Sequence, residues 1–253
     1  MMKKSYNYIG ALILFTLLNS VIMSAYGISI SARRLYLDPK NNDTNIRVLN
    51  TDSQTQSCVV EVVDIFITSS GKIALADSST LATSSAKPLV RLAPRRFTLV
   101  PGENQKVKLL FRRKPGLENG EYQGALAIKC TITGGKNDSL VKINAALVHN
   151  VPLIVRTGKL PIQAEFVSTT FIQNDLQVVL KIAGNRSLTG TLALINPESG
   201  EVLNTIKDQS IYAQQPLVTL NLPLGEYRNS PLLLRFTEAP ELGGDLVIEQ
   251  TVN

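Results

Sequence analysis

The residues able to do chemistry are few, and their spacing gives them little to do. The single histidine, His149, lies among apolar neighbours, and neither cysteine, Cys58 or Cys130, sits beside a histidine or in an electropositive turn that would favour a thiolate. No Gly-x-Ser-x-Gly elbow and no metal-ligand spacing occurs, and the acidic residues are scattered without a pair suited to general acid–base work. No catalytic residue, metal ligand or cofactor is therefore assigned, and the chain is read as a non-enzyme with His149 in a packing or surface role. Binding is the chemistry that remains.

Charge narrows the partners. The formal net charge is +6, carried by residues spread through the chain with short clusters at Arg33-Arg34, Arg95-Arg96 and Arg112-Arg113-Lys114. No basic stripe is interleaved with aromatic residues, so nucleic acid is not an expected partner. Residues 1–27 join a basic tip (Lys3, Lys4), an apolar run from Ile9 to Leu18 and the small-residue ending Ala25-Tyr26-Gly27, the form of a secretory signal peptide. No later window reaches the roughly 18 uncharged apolar residues of a spanning helix. The exported chain is expected to begin near Ile28; losing two lysines and no acid takes the net charge from +6 to +4.

Short apolar segments punctuated by Gly, Pro, Asn and Asp predict an all-β chain. In a first domain, residues 28–156, strands are expected over Ile30–Leu37, Ile46–Leu49, Ser57–Thr68, Leu89–Leu92, Arg96–Val100, Lys106–Phe111 and Ala125–Ile132, with a polar gap over 69–88 read as loop with at most a short strand. Ser139 to Arg156 then reads as one strand far longer than usual. Val141, Ile143, Ala145 and Leu147 share one parity, Lys142 and Asn144 the other, and Val151 to Val155 is almost continuously apolar. Pro152 removes a backbone donor and confines that point to a sheet edge or a bulge. A long apolar edge invites pairing, so it is either covered or used to add a partner strand.

After the bridge Thr157–Pro161, a second domain, residues 157–253, is expected, with strands over Phe166–Phe171, Leu176–Ile182, Thr191–Ile195, Glu201–Ile206, Leu217–Leu222 and Pro231–Phe236. Gly-Glu-Tyr occurs at 120–122 and again at 225–227, each copy before a late strand, as the tyrosine corner of an immunoglobulin-like sandwich does. Two such sandwiches in tandem fit the length. Cys58 shares its parity with Val60 and Val62, and Cys130 with Leu126 and Ile128, so both face the core, in what would be strands B and F. They are a disulfide in an exported protein or two separate buried thiols. Asn42, Asn137 and Asn185 begin Asn-x-Ser/Thr triplets and are read as surface turns.

Several of these segments together resemble the periplasmic chaperones of the chaperone-usher pilus pathway, the PapD-like family. They are the leader, Arg34-Leu35-Tyr36-Leu37, the run Leu89 to Gly102 with its proline, apolar residue and Pro-Gly turn, the following Gln105-Lys106-Val107-Lys108-Leu109, and the long strand ending Val155-Arg156. The match covers most of the first domain and the general pattern of the second. It implies a periplasmic protein that lends its edge strand to a pilus subunit lacking one and delivers it to an outer-membrane usher. The partners are then pilus subunits and the usher, with self-association of the free chain as a further possibility.

Aligning Arg156 with the arginine that ends the family strand places Val141, Ile143, Ala145 and Leu147 in the subunit groove. The family holds the subunit's terminal carboxylate with an arginine of the opening strand and a lysine of the long strand. Here that lysine position is Pro152, as in the archaic or alternative branches, so a basic residue of another strand is expected beside Arg34: Lys108, or else Arg96, with Arg33 competing for the place of Arg34. A secreted structural or adhesion component of a pilus would share the composition, but it should lack a strand or carry its own donor extension.

Overall fold

The structure, a computed structural model, describes residues 27–76, 84–133, 146–225, 227 and 230–252. They form two β-sandwiches in tandem, all-β and immunoglobulin-like. The expected leader lies outside the described residues except for Gly27, as do the turn at 134–138 and the strand start at 139–145. Among the described residues no helix is long and apolar enough to cross a membrane.

The first sandwich faces two sheets across one core. One sheet has the order β1 (Ile28–Ile30), β3 (Asp43–Asn50), β9 (Asn104–Phe111), β7 (Val90–Ala93). The other runs β2 (Leu35–Leu37), β11 (Ala146–Thr157), β10 (Gly120–Ile132), β4 (Gln56–Val63), β8 (Arg96–Leu99). Alternation builds the core. Cys58, Val60 and Val62 of β4 point inward against Val107 and Leu109 of β9, while Val59, Glu61, Lys106 and Lys108 face solvent.

The chain departs from the expected strands in three places. The opening segment is two strands rather than one: β1 pairs with β3 in the first sheet and β2 pairs in parallel with β11 in the second, with Ser31–Arg34 crossing between them. The strand from Ser57 breaks at Asp64, whose backbone oxygen accepts from Ala76 and whose carboxylate takes Ser85 Oγ. Beyond the break, β5 (Ile65–Ile67) turns back on β6 (Ile73–Leu75) as a separate hairpin. Cys58 and Cys130 are directly opposite one another in β4 and β10, neighbours in one sheet, and are disulfide-bonded with Cα atoms 4.1 Å apart. The expected B–F placement, which spans the two sheets, is therefore corrected. Both thiols face the core, but the bridge ties adjacent strands, because parity fixes a residue's face and says nothing about which sheet carries it.

The second sandwich pairs β12 (Ile162–Ile172), β13 (Asp175–Gly184) and β16 (Leu217–Pro223) in one sheet, and β15 (Val202–Ile211), β14 (Leu188–Ile195), β17 (Leu232–Glu238) and β18 (Val247–Val252) in the other. Its own core gathers Leu176, Leu180, Leu192, Leu222, Leu234 and Phe236. Strand β18 was not expected; its alternation is weak, with Val247 exposed and only Val252 buried. Of the two Gly-Glu-Tyr copies, the first makes a tyrosine corner: Tyr122 packs on the first core and its hydroxyl donates to the Glu118 carbonyl at 3.0 Å. In the second, Tyr227 packs on the second core beside a short turn.

Candidate functional site: an open strand edge and the cleft beside it

Strand β11 is paired on one side throughout by β10, from Thr131 opposite Ala146 to Gly120 opposite Thr157. Its other side is paired only over Leu153–Val155, where β2 lies alongside. From Ala146 to Pro152 the outer edge has no strand partner among the described residues. Pro152 stands where pairing changes from one-sided to two-sided, a position that spares the sheet a missing donor.

Along this edge the inward parity runs Leu147, His149, Val151, Leu153, Val155. The last three are buried in the first core, whereas Leu147, opposite Cys130, is 46% exposed, and Val148 on the other face is 45% exposed. A single strand face thus continues out of the protein's own core and presents apolar side chains beyond it. His149 lies between Leu147 and Val151; its ring is partly covered and its Nε2 is buried without a hydrogen-bond partner among the described residues. Val141, Ile143 and Ala145, the other groove-directed residues expected from sequence, lie outside the described residues.

The four basic candidates are not brought together. Lys108 lies in β9, in the opposite sheet from β2 and β11, on its solvent face, with Nζ 2.9 Å from Asp43 Oδ2. It cannot stand beside Arg34, because inward parity at Val107 and Leu109 drives it outward on the wrong sheet. Arg96 is exposed in β8, the far edge of the β2 sheet, four strand spacings or roughly 19 Å away. Both are corrected as partners of Arg34.

Arg33 and Arg34 both reach the second sandwich from the crossing segment. Arg33, 90% exposed, pairs with Asp208 at 3.1 Å. Arg34 is half-buried, one step before the β2–β11 pairing and so level with Pro152; its Nη1 donates to the Tyr212 hydroxyl at 3.1 Å. Gln214 in the same second-sandwich turn donates through Nε2 to Gln123 Oε1 at 3.3 Å.

A buried polar cluster, which the sequence reading missed apart from Arg156, binds the two sandwiches beside this cleft. Arg156 gives Nε to Glu121 Oε2 at 2.9 Å, Nη2 to the Ser187 carbonyl at 2.8 Å and Nη1 to the Leu242 carbonyl at 3.1 Å. Glu121 also accepts from the Ser187 amide and hydroxyl, and Glu238 takes both terminal nitrogens of Arg186. Four charged side chains are hidden here, each with its partners satisfied, as burial requires. The signal that could have found them is charge at the ends of apolar strands, where turn residues are usual: Glu121 in Gly-Glu-Tyr, Arg186 before Leu188, Glu238 after Phe236.

Tyr36 joins this cluster from β2. The Arg156 guanidinium lies over its ring, 5.4 Å from the centroid, and its hydroxyl donates to Asp38 at 2.9 Å. Burial, and then the neighbouring Asp38 carboxylate, push the phenol up to about 12. Burial alone would raise Asp38, but the amide of Asn41, the Tyr36 hydroxyl and the amide of Lys40 outweigh it and hold the carboxyl below its usual value. Gly243 of the second sandwich sits against the Tyr36 ring with φ +72, where a Cβ would collide with the phenol. Among the described residues no three of His, Cys, Asp and Glu converge to hold a metal ion. The arrangement offers recognition: an unpaired strand edge, an apolar face and a guanidinium held in a cleft.

No protein-family model matches the chain, and no curated protein matches it. Among solved structures it is similar to the YadV chaperone, at 12% identity over 89% of this chain and 99% of that one, with a TM-score of 0.48. It is similar to the E. coli chaperone DraB, at 13% identity over 89% and 98%, TM-score 0.45. It is also similar to a chain of the CsuC–CsuE chaperone–tip adhesion subunit pre-assembly complex from the archaic chaperone-usher Csu pili of Acinetobacter baumannii, at 13% identity over 88% and 97%, TM-score 0.46. These structural neighbours are chaperones, that of the Csu pili a chaperone-usher one.

Proposed function

We propose that this chain is an exported, periplasmic chaperone that holds pilus subunits by donor-strand complementation and hands them to an outer-membrane usher. In this reading residues 1–27 are a leader removed on export, residues 28–156 form the domain that donates its edge, and residues 157–253 form the second domain. The observation that carries the reading is the one-sided pairing of β11 over Ala146–Pro152, with Leu147 and Val148 each about half exposed on it. An unpaired edge with apolar side chains is a template for another strand, and a protein that keeps one exposed gains by filling a neighbour's incomplete sandwich.

The same parity carried backwards reaches Ala145, Ile143 and Val141, which enter the partner's groove together with Leu147. Burying the Val, Ile and Leu side chains contributes roughly 5–9 kcal/mol before the costs of association, and backbone pairing along the edge sets direction and register. The test is co-expression with exported proteins encoded beside this gene. A one-to-one complex with a protein that aggregates or is degraded when expressed alone is the expected result. The absence of any such complex contradicts the reading.

A further inference from the structure

The outer face of the β1–β3–β9–β7 sheet gathers positive charge. Side chains alternate between core and solvent along its strands, and the solvent positions hold Arg47 on β3, Arg91 on β7, Lys106 and Lys108 on β9, and Arg112 one residue beyond its end, all five exposed. Arg112 keeps the register, its amide bonded to the Leu89 carbonyl at 2.7 Å. One carboxylate faces the same way, that of Asp43, and it pairs with Lys108 at 2.9 Å. The other four cations form no ion pair among the described residues. On the outer face of the other sheet the exposed charges are mixed: Arg96, Lys129 and Glu61.

Folding gains nothing from this arrangement. Arg47 stands directly opposite Lys106 in the antiparallel pair of β3 and β9, and like charges so placed destabilise a sheet. Arg91 stands opposite Leu110, which is 41% exposed among the cations. From Lys106 to Arg112 the face is about 20 Å long, and its three basic strands make it about 10 Å wide. The side chains stand side by side on a sheet instead of converging, so one small anion meets only one or two of them. No outward position of these strands carries an aromatic residue, whereas the cores of protein interfaces are rich in aromatics and poor in lysine. The counterpart of a broad, evenly spread positive face with one apolar residue in it is a plane of anions.

We propose that this face docks the protein on the surface of an anionic phospholipid bilayer. Clusters of roughly four to eight basic residues attach proteins to such surfaces, each residue strengthening the attachment about fivefold. The face carries a net charge of +4, equal to the excess of the whole exported chain, so the field that steers the protein points from this side. It belongs to the sheet opposite that of β11, and a bilayer docked there leaves the edge from Ala146 to Pro152 uncovered. Docking of this kind rests on the reading of the chain as exported, which gives it a bilayer to meet, and not on strand donation.

The test is co-sedimentation of the full exported chain with sucrose-loaded vesicles, one set of phosphatidylcholine alone and one in which a quarter of the lipid is phosphatidylglycerol. The protein should pellet with the anionic vesicles at about 0.05 M salt and be released at about 0.5 M, where the Debye length is only about 4 Å. It should stay in solution with phosphatidylcholine. No pelleting at low salt, or pelleting that salt does not reverse, overturns the docking. Arg47→Gln combined with Lys106→Gln should lower the vesicle partition coefficient about thirtyfold, two residues at about fivefold each. Its melting temperature should not fall, because the substitutions remove like charges set opposite one another. Arg91→Gln combined with Arg112→Gln repeats the test at the other end of the face. An unchanged coefficient in both pairs overturns the assignment. Arg96→Gln combined with Lys129→Gln removes the same charge from the other sheet and should change the coefficient less than about threefold. Equal losses from the two faces would mean a response to net charge alone and would overturn it as well. Capture of a subunit in solution should be untouched by Arg47→Gln with Lys106→Gln. Lost capture without vesicle binding would give the face to an acidic protein instead, whereas vesicle binding without any capture would leave the docking standing and sink strand donation.

Discussion

Arg156 and Glu121 meet at 2.9 Å, their side chains 7% and 4% exposed, and each also bonds to Ser187 of the second sandwich. The last strand of the first sandwich is thereby fastened to the second near its end, beyond the residues where β2 pairs with it.

Breaking that pair leaves a charge buried without its partner. Glu121→Gln or Arg156→Met is expected to cost about 3–5 kcal/mol in urea unfolding, far more than a surface ion pair such as Arg33–Asp208. Replacing Arg156 and Glu121 together by apolar residues should recover part of the loss. A single substitution costing under about 1 kcal/mol would show that water reaches the cluster.

Gly243→Ala should destabilise the contact between the sandwiches for two reasons. The residue sits at φ +72, a conformation that costs a non-glycine residue about 1 kcal/mol or more, and its new Cβ would strike the Tyr36 ring. A lowered melting temperature, partly restored when Tyr36 is also shortened to Leu, is the expected outcome. A neutral substitution would mean that the second sandwich does not rest on Tyr36.

Tyr36 also sets an alkaline limit. Its folded value, about 12, lies above the unfolded value of about 10, so the folded state holds the proton more tightly. The contribution is whole below about pH 10 and is lost as pH rises through about 12. Melting temperatures measured from pH 8 upward should fall faster in the wild type than in Tyr36→Phe; parallel curves would remove Tyr36 from the account.

Parity made much of this legible. Alternation alone placed Cys58 and Cys130 on the core face and set Leu147 on one parity with Val141, Ile143 and Ala145, because a strand's faces follow from its own sequence; that this parity continues through Val151 and Leu153 into the core came from the fold. Sheet membership was not legible. Lys108 fell in the wrong sheet, and the cysteines fell in one sheet rather than two, since strand order depends on partners far away in the chain. Glu121, Arg186 and Glu238 were missed for a related reason: each is a lone charge whose ion-pair partner lies far along the chain, 35 residues away for Glu121 with Arg156 and 52 for Arg186 with Glu238, and only the fold gathers them.

The disulfide offers a further check. Joining positions 72 residues apart, it is expected to contribute about 2–4 kcal/mol, largely by restricting the unfolded chain. Reduction of the folded protein should lower the denaturation midpoint accordingly without changing the far-ultraviolet spectrum. An unchanged midpoint would mean that the bridge adds nothing to the pairing of β4 with β10.

The most direct measurement compares Leu147→Asp with Val148→Asp in one capture experiment. The two residues are neighbours of nearly equal exposure on opposite faces of the same free edge. In the free protein either change costs little, about 1 kcal/mol, since each side chain is only half covered. If β11 donates its edge as proposed, Leu147 enters the partner's groove, where an unpaired carboxylate is expensive to bury, and Val148 faces away. The account predicts that both variants melt close to the wild type, that Val148→Asp still co-purifies with the subunit, and that Leu147→Asp does not. Equal capture by the two variants, or unfolding of Leu147→Asp, would contradict it.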